Sequence, residues 1–248
     1  MPDTPIAHVV EHPTALELCD TYLQLQLRKR REDEAAPTTI GPAITLSHQV
    51  GSEDHEIAHQ VAGLLQAGAP KGAIPWTVFD RNLVEIMLEE HHLPRFLADF
   101  IAEDRRSMIQ DTIDELLGSR IPSWDVVPKI AETVLHLAHA GHAILVGRGA
   151  NVIAADLPHM LHVRLLTSLD HRVAHLQEAE HLTAAEAADR IHREDKAAGR
   201  YIKTHFHVSV ENDALYHLTL NLDRLTSSQA AHLIAEAARQ VFTPRPLG

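Results

Sequence analysis

Apolar residues fall into two rhythms along the chain. The runs AITLS (43–47), AILVG (143–147), MLHVRLLTS (160–168) and HLTLNL (217–222) are short and rich in branched residues, which predicts strands. Between them the spacing turns helical: Ile57, Val61, Leu64 and Leu65 recur at three and four residues, and LTSSQAAHLIAEAARQVF closes the chain as an amphipathic helix. Strands alternating with helices predict a parallel sheet wrapped by helices. Two stretches break the alternation. Residues 14–34 carry Leu16, Cys19, Leu23 and Leu27 at helical spacing before a basic and then an acidic block, an accessory helix joined by the linker-like AAPTTIGP. Residues 81–140 are helix-like almost throughout, with proline breaks at Pro94, Pro122 and Pro128, which predicts a helical insertion.

Composition narrows the class. A chain of 248 residues with 45% hydrophobic content buries one mid-sized core with an appendage, here residues 1–40 beside a domain at 41–243. A formal charge of −12 argues against a nucleic-acid or anionic-membrane surface, either of which needs a broad cationic face, and leaves room only for a local cationic pocket. Twenty histidines make that charge fall as pH drops below about 6.5. The single cysteine, Cys19, has no internal disulfide partner, and no apolar run approaches the roughly 20 residues that span a bilayer. The start MPDTPIAHVVEHPT lacks the cationic and apolar blocks of a secretory signal, so the cytoplasm is the expected compartment.

The first strand runs through LSHQVGSEDHEIAHQVA into a helix, the order of a phosphate cradle, in which glycine turns the chain and backbone N–H groups converge on an anion. Gly51 supplies the flexible residue and Ser52 an expected N-cap. Glu53, Asp54, His55 and Glu56 follow, and the strict G-x-x-x-x-G-K-[ST] pattern is absent. On these residues alone, an ordinary helix whose first turn holds two favourably placed acids explains the stretch better than a cradle does.

Taken with WTVFDRNLVE, ILVGRGANVI, HVRLLTSLDHRV and REDKAAGRYIKTHF, the stretch ITLSHQVGSEDHEIAHQVA resembles the cytidylate kinase-like family of P-loop nucleoside monophosphate kinases, in one consistent order over roughly residues 42–240. The resemblance implies a three-layer α/β/α P-loop NTPase fold with a parallel central sheet, a helical insertion and a lid near 180–210. It implies transfer of the γ-phosphoryl of ATP, with Mg²⁺, to a nucleoside monophosphate such as CMP. Gly51, Ser52, Glu53, Asp54, His55 and Glu56 then fall on the nucleotide loop. Glu53 and Asp54 replace paired glycines, His55 replaces an arginine, and His48 also stands where arginine is common. A carboxylate about 4 Å from a phosphate charge costs up to about 4 kcal/mol at an effective dielectric near 20, so these replacements bear on affinity unless the side chains point outward. Arg148, in Gly147-Arg148-Gly149 with Asn151 beyond, falls on the acceptor site, where a guanidinium grips a phosphate through two parallel hydrogen bonds. Asp80 and Arg81 match a family pair that would orient the acceptor or hold Mg²⁺ through water; capping of the helix that starts at Arg81 explains Asp80 equally well. Arg193, Asp195 and Arg200, with Lys196 and Lys203, match the lid, where Arg193 and Arg200 would stabilise the transferred group and Asp195 would meet substrate. Ala198 stands where a second arginine is usual.

Other chemistries have less behind them. His136, His139 and His142, and the pair His205 and His207, lack a carboxylate or cysteine completing a metal set, and histidine is used throughout the chain. No G-x-S-x-G element marks a serine hydrolase. Three readings stay open: an active nucleoside monophosphate kinase, a degenerate relative that binds nucleotide or anion as a sensor or as a subunit docking a protein partner through its N-terminal helix, and a structural interaction protein whose loop binds nothing.

Overall fold

The computed structural model describes residues 41–70, 73–80 and 126–242, together with Thr21, Tyr22, Gln24, Leu25, Ile109, Thr112, Ile113 and Leu116. Five strands form one parallel sheet: β1 (Ala43–Ser47), β2 (Thr77–Phe79), β3 (Ala143–Val146), β4 (Met160–Leu166) and β5 (Leu218–Asn221), in the spatial order β2-β3-β1-β4-β5. The predicted parallel sheet is therefore present; β1, β3, β4 and β5 lie within the runs that announced them, and β2 is a fifth, three-residue strand outside those runs. The helices are α1 (Asp54–Ala67), α2 (Val126–Ala140), α3 (Ala150–Ile153), α4 (Leu169–Glu180), α5 (Ala184–Phe206) and α6 (Ser227–Phe242), with a 3₁₀ turn at Asp213–Leu215.

Strand alternation decides the layers. Ile44, Leu46, Ile144, Val146, Leu161, Val163 and Leu165 point to one face, where they meet Ile57, Val61 and Leu65 of α1 and Ile234 and Ala238 of α6. Ala43, Leu145 and Met160 point to the other, against α2, α3 and the end of α5. A sheet buried on both faces has continuous rather than alternating apolar strands, and β3 is AILV throughout.

Two expectations change. Val126–Ala140, assigned to an insertion, is a cover of the sheet, with Val127, Ile130, Val134 and Leu137 in the core; Pro128 breaks nothing, because its missing N–H is tolerated in a first helical turn. The remainder of the expected insertion lies mostly outside the described residues, although Ile109 and Ile113 join the same core. The accessory segment is also tied in. Tyr22 is fully buried, meets the Phe79 ring edge-on at 5.3 Å and donates to the Gly141 carbonyl at 2.5 Å. The expected stripe of Leu16, Cys19, Leu23 and Leu27 lies outside the described residues.

Candidate functional site

The strand order creates a crevice before any side chain is considered. From β1 the chain leaves toward β2 and β3, whereas from β3 it crosses β1 to reach β4, so the connections diverge at the carboxyl ends of neighbouring β1 and β3. Ligands of open α/β sheets bind at such a switch point. Here both flanking loops carry glycine.

After β1, Gly51 adopts φ +83° and the Ser52 N–H returns to the Gln49 carbonyl at 3.1 Å, which closes a tight turn. Ser52 is not the N-cap. Its hydroxyl donates to the Gln49 carbonyl at 2.6 Å, and Glu53 holds the cap position without a side-chain bond to the helix. Among the described residues no acceptor meets the N–H groups of Gly51, Glu53, Asp54 or His55, so the positive end of a 14-residue helix opens into the loop.

The side chains of that loop are held aside. Glu53 accepts from the Ser227 hydroxyl and lies 3.6 Å from His171 Nε2, toward α6 and α4. Asp54, largely buried, lies 3.5 Å from His48 Nδ1, and His55 Nε2 lies 3.3 Å from Asp80. Glu56 is exposed and accepts from Gln60 one turn on. The carboxylates that looked hostile to an anion are thus turned onto a hydroxyl and imidazoles, and the loop itself contributes no lysine or arginine. Asp80 closes β2 as expected; Arg81 lies outside the described residues.

After β3, Gly147, Arg148 and Gly149 take φ of +74°, +55° and +73° in succession. For arginine the left-handed region costs about 1–2 kcal/mol, a strain held at a half-buried residue at the carboxyl end of β3. Gly149 is glycine for a second reason: a Cβ there would lie 2.7 Å from Ile202 Cδ1. Asn151, the second residue of α3, is buried with its Nδ2 lacking a hydrogen bond, a donor left over just after the Gly147–Gly149 loop.

The helix α5 crosses above both loops. Thr183 and Glu186 start it with reciprocal bonds, a capping box. Asp195 Oδ1 accepts from the Val50 N–H at 3.0 Å, its Oδ2 meets Arg172 Nη1 at 2.6 Å, and Ile202 and Phe206 pack on Gly149. The lid arginines expected to act at the site lie away from this contact. At 100° per residue, Ile191, Asp195, Ala198, Gly199, Ile202 and Phe206 share the inner face, and Arg193 and Arg200 lie roughly 140–160° from Asp195. Both arginines are exposed, as are Lys196 and Lys203. In this arrangement they face solvent, while Asp195 touches the loop instead of standing free for substrate.

Arg172 is the residue that sequence reasoning missed. Its side chain is 8% exposed, it donates to the Val50 carbonyl at 3.2 Å as well as to Asp195, and it braces α4 against the loop. His175 adds a bond to the Gly51 carbonyl at 2.9 Å. The available signal was an arginine in the stripe Leu169, Arg172, Leu176, where helical spacing calls for an apolar residue.

Comparison with known proteins agrees with this fold. The crystal structure of an uncharacterized protein from Eubacterium ventriosum ATCC 27560 superposes with a TM-score of 0.60 at 17% identity, covering 80% of this chain and 98% of that one, and shares the fold. No curated protein matches the chain. The cytidylate kinase-like family matches residues 43–224, which takes in all five strands and both glycine loops, and the chain belongs to that family.

Proposed function

We propose that this protein is a nucleoside monophosphate kinase that moves the terminal phosphoryl group of ATP to a monophosphate such as CMP. The observation that carries the reading is the pairing at one switch point of a glycine turn with open main-chain N–H groups and a strained loop presenting Arg148. The first suits a polyphosphate, which needs several converging donors; the second suits a single phosphate, which a guanidinium holds bidentately. Asn151 Nδ2 offers a further donor on the acceptor side.

ATP with Mg²⁺ fits the loop through the main chain rather than through charge. The N–H groups of Gly51, Glu53, Asp54 and His55 would hold phosphoryl oxygens, with Glu53 kept aside by Ser227 and His171. Among the described residues no group of three or more histidine, cysteine or acidic side chains is placed to hold a metal, so Mg²⁺ would arrive on the nucleotide. That ion supplies neutralisation of the triphosphate charge. Arg148 would fix the acceptor phosphate, and α5 would exclude water above it. Arg193 and Arg200 join only if α5 rolls.

A second reading, a relative that binds nucleotide without efficient transfer, draws on the absence of a loop cation and the outward lid arginines. A coupled assay with ATP, Mg²⁺ and a panel of nucleoside monophosphates separates the two. Turnover falling at least a hundredfold in Arg148→Ala, with the fold intact, is the expected result; nucleotide binding without turnover in the unmodified protein selects the second reading. A melting temperature unmoved by millimolar ATP and by every monophosphate rejects both, because a ligand of the native state must stabilise it.

A further inference from the structure

The contact between Asp195 and the first loop has the form of a ligand contact. One carboxylate bridges a backbone N–H, that of Val50, and a buried guanidinium, that of Arg172, through two different oxygens. Val50 immediately precedes Gly51 and the open N–H groups. A phosphoryl group offers the same pair of acceptors to the same donors and carries more charge. We propose that the Val50 N–H and Arg172 form a phosphate position that Asp195 fills from within, so that Asp195 and a phosphoryl oxygen compete and nucleotide binding releases α5 by exchange of anions. The inference rests on the nucleotide-binding reading above and adds Arg172 as a phosphate-binding residue and Asp195 as an internal competitor.

Packing decides which partner leaves. Arg172 belongs to the loop, because its guanidinium also bonds the Val50 carbonyl, the neighbouring His175 bonds the Gly51 carbonyl, and a Cβ on Gly51 would press within 3.1–3.2 Å of Arg172 and Leu176. Asp195 belongs to a helix that stands off the loops beyond it: Ala198 is exposed, and a Cβ on Gly199 would meet nothing within 4 Å, although both share the inner face with Asp195. Contact resumes only at Ile202 and Phe206 on Gly149. The carboxylate is also partly open to water, at 32% exposure against 8% for Arg172, so it loses less than the arginine would by leaving. Arg172 Nε, buried without a hydrogen bond, keeps a donor in reserve for a larger anion.

The test uses inorganic tripolyphosphate, which probes the anion position without the acceptor site, and calorimetric titration of the full chain. Asp195→Ala is expected to bind it at least tenfold more tightly than the unmodified protein, Asp195→Asn to fall between, and Arg172→Met added to Asp195→Ala to remove the gain. Equal or weaker binding by Asp195→Ala, or no binding by either protein, overturns the proposal. Should the variants fold poorly, hydrogen exchange on the unmodified protein decides: tripolyphosphate should slow exchange in residues 48–57 and speed it in 184–206, and unchanged or slowed exchange in 184–206 overturns the latch. Turnover is read separately. Tighter binding by Asp195→Ala in a protein that phosphorylates no monophosphate sinks the kinase reading and leaves the exchange standing, while turnover with unmoved affinity does the reverse.

Discussion

At the scale of single residues, His162 shows how position outweighs type in a chain with twenty histidines. It sits on β4, bonds Thr45 through Nδ1 at 2.8 Å and stacks on His217 at 5.1 Å; burial first, and then the neighbouring His217 charge, push its pKa down to about 4. The folded protein keeps it neutral while the unfolded chain takes up a proton near 6.5, so unfolding binds a proton between those values. Its contribution is complete above about pH 6.5 and is lost as pH falls toward about 4, on the order of 3 kcal/mol in all. Urea titrations across that range should show a shallower loss of stability in His162→Gln than in the unmodified protein. Gly149 makes a steric prediction. With φ +73° and Ile202 Cδ1 2.7 Å from an added Cβ, Gly149→Ala combines left-handed strain with a clash. A loss of about 2–4 kcal/mol is expected in denaturant melts, together with faster proteolysis of α5 as Ile202 and Phe206 are displaced.

At the scale of elements, the loop and its helix separate charge from geometry. Because Glu53 is directed onto Ser227 and His171, Glu53→Gln should leave ATP affinity within about twofold, whereas Asp54→Asn with His55→Arg should raise it about tenfold, the latter replacing an imidazole by a permanent cation beside open N–H groups. Titration calorimetry checks both, and a large gain from Glu53→Gln alone would contradict the side-chain placement. α5 makes the complementary point. Its apolar residues Ile191, Ile202 and Phe206 fix which face meets the loops, and the cations follow on the other side whatever their chemistry suggests. A lid arginine is thus read from rotation about the helix axis as much as from a motif.

At the scale of the molecule, two apolar layers sandwich a five-stranded sheet, and the N-terminal segment contributes to one of them. Tyr22→Ala removes a fully buried ring from beside Phe79 and should cost about 3–5 kcal/mol, lowering the melting temperature by several degrees or more. A detached accessory helix would show no such change, so thermal unfolding distinguishes the two arrangements. The fold was legible because a parallel strand buried on both faces must be written as a continuous apolar run, as AILV is, and because glycine was required after β1 and β3. The site was legible only in part. Arg148 and the loop could be located by what precedes them, but the N-terminal stripe Leu16, Cys19, Leu23 and Leu27 gave no hint that Tyr22 enters the core.

The sequence by itself determined the alternation of strands and helices, the glycine turns at Gly51 and Gly149, and the family to which they belong, because local sterics and periodic burial are written in consecutive residues. Tertiary structure alone decided that Glu53 turns toward Ser227, that Arg193 and Arg200 face water, and that Asp195 reaches across 145 positions to the Val50 N–H. Such contacts depend on the angle at which one packed layer crosses another, and no spacing within a single segment records that angle.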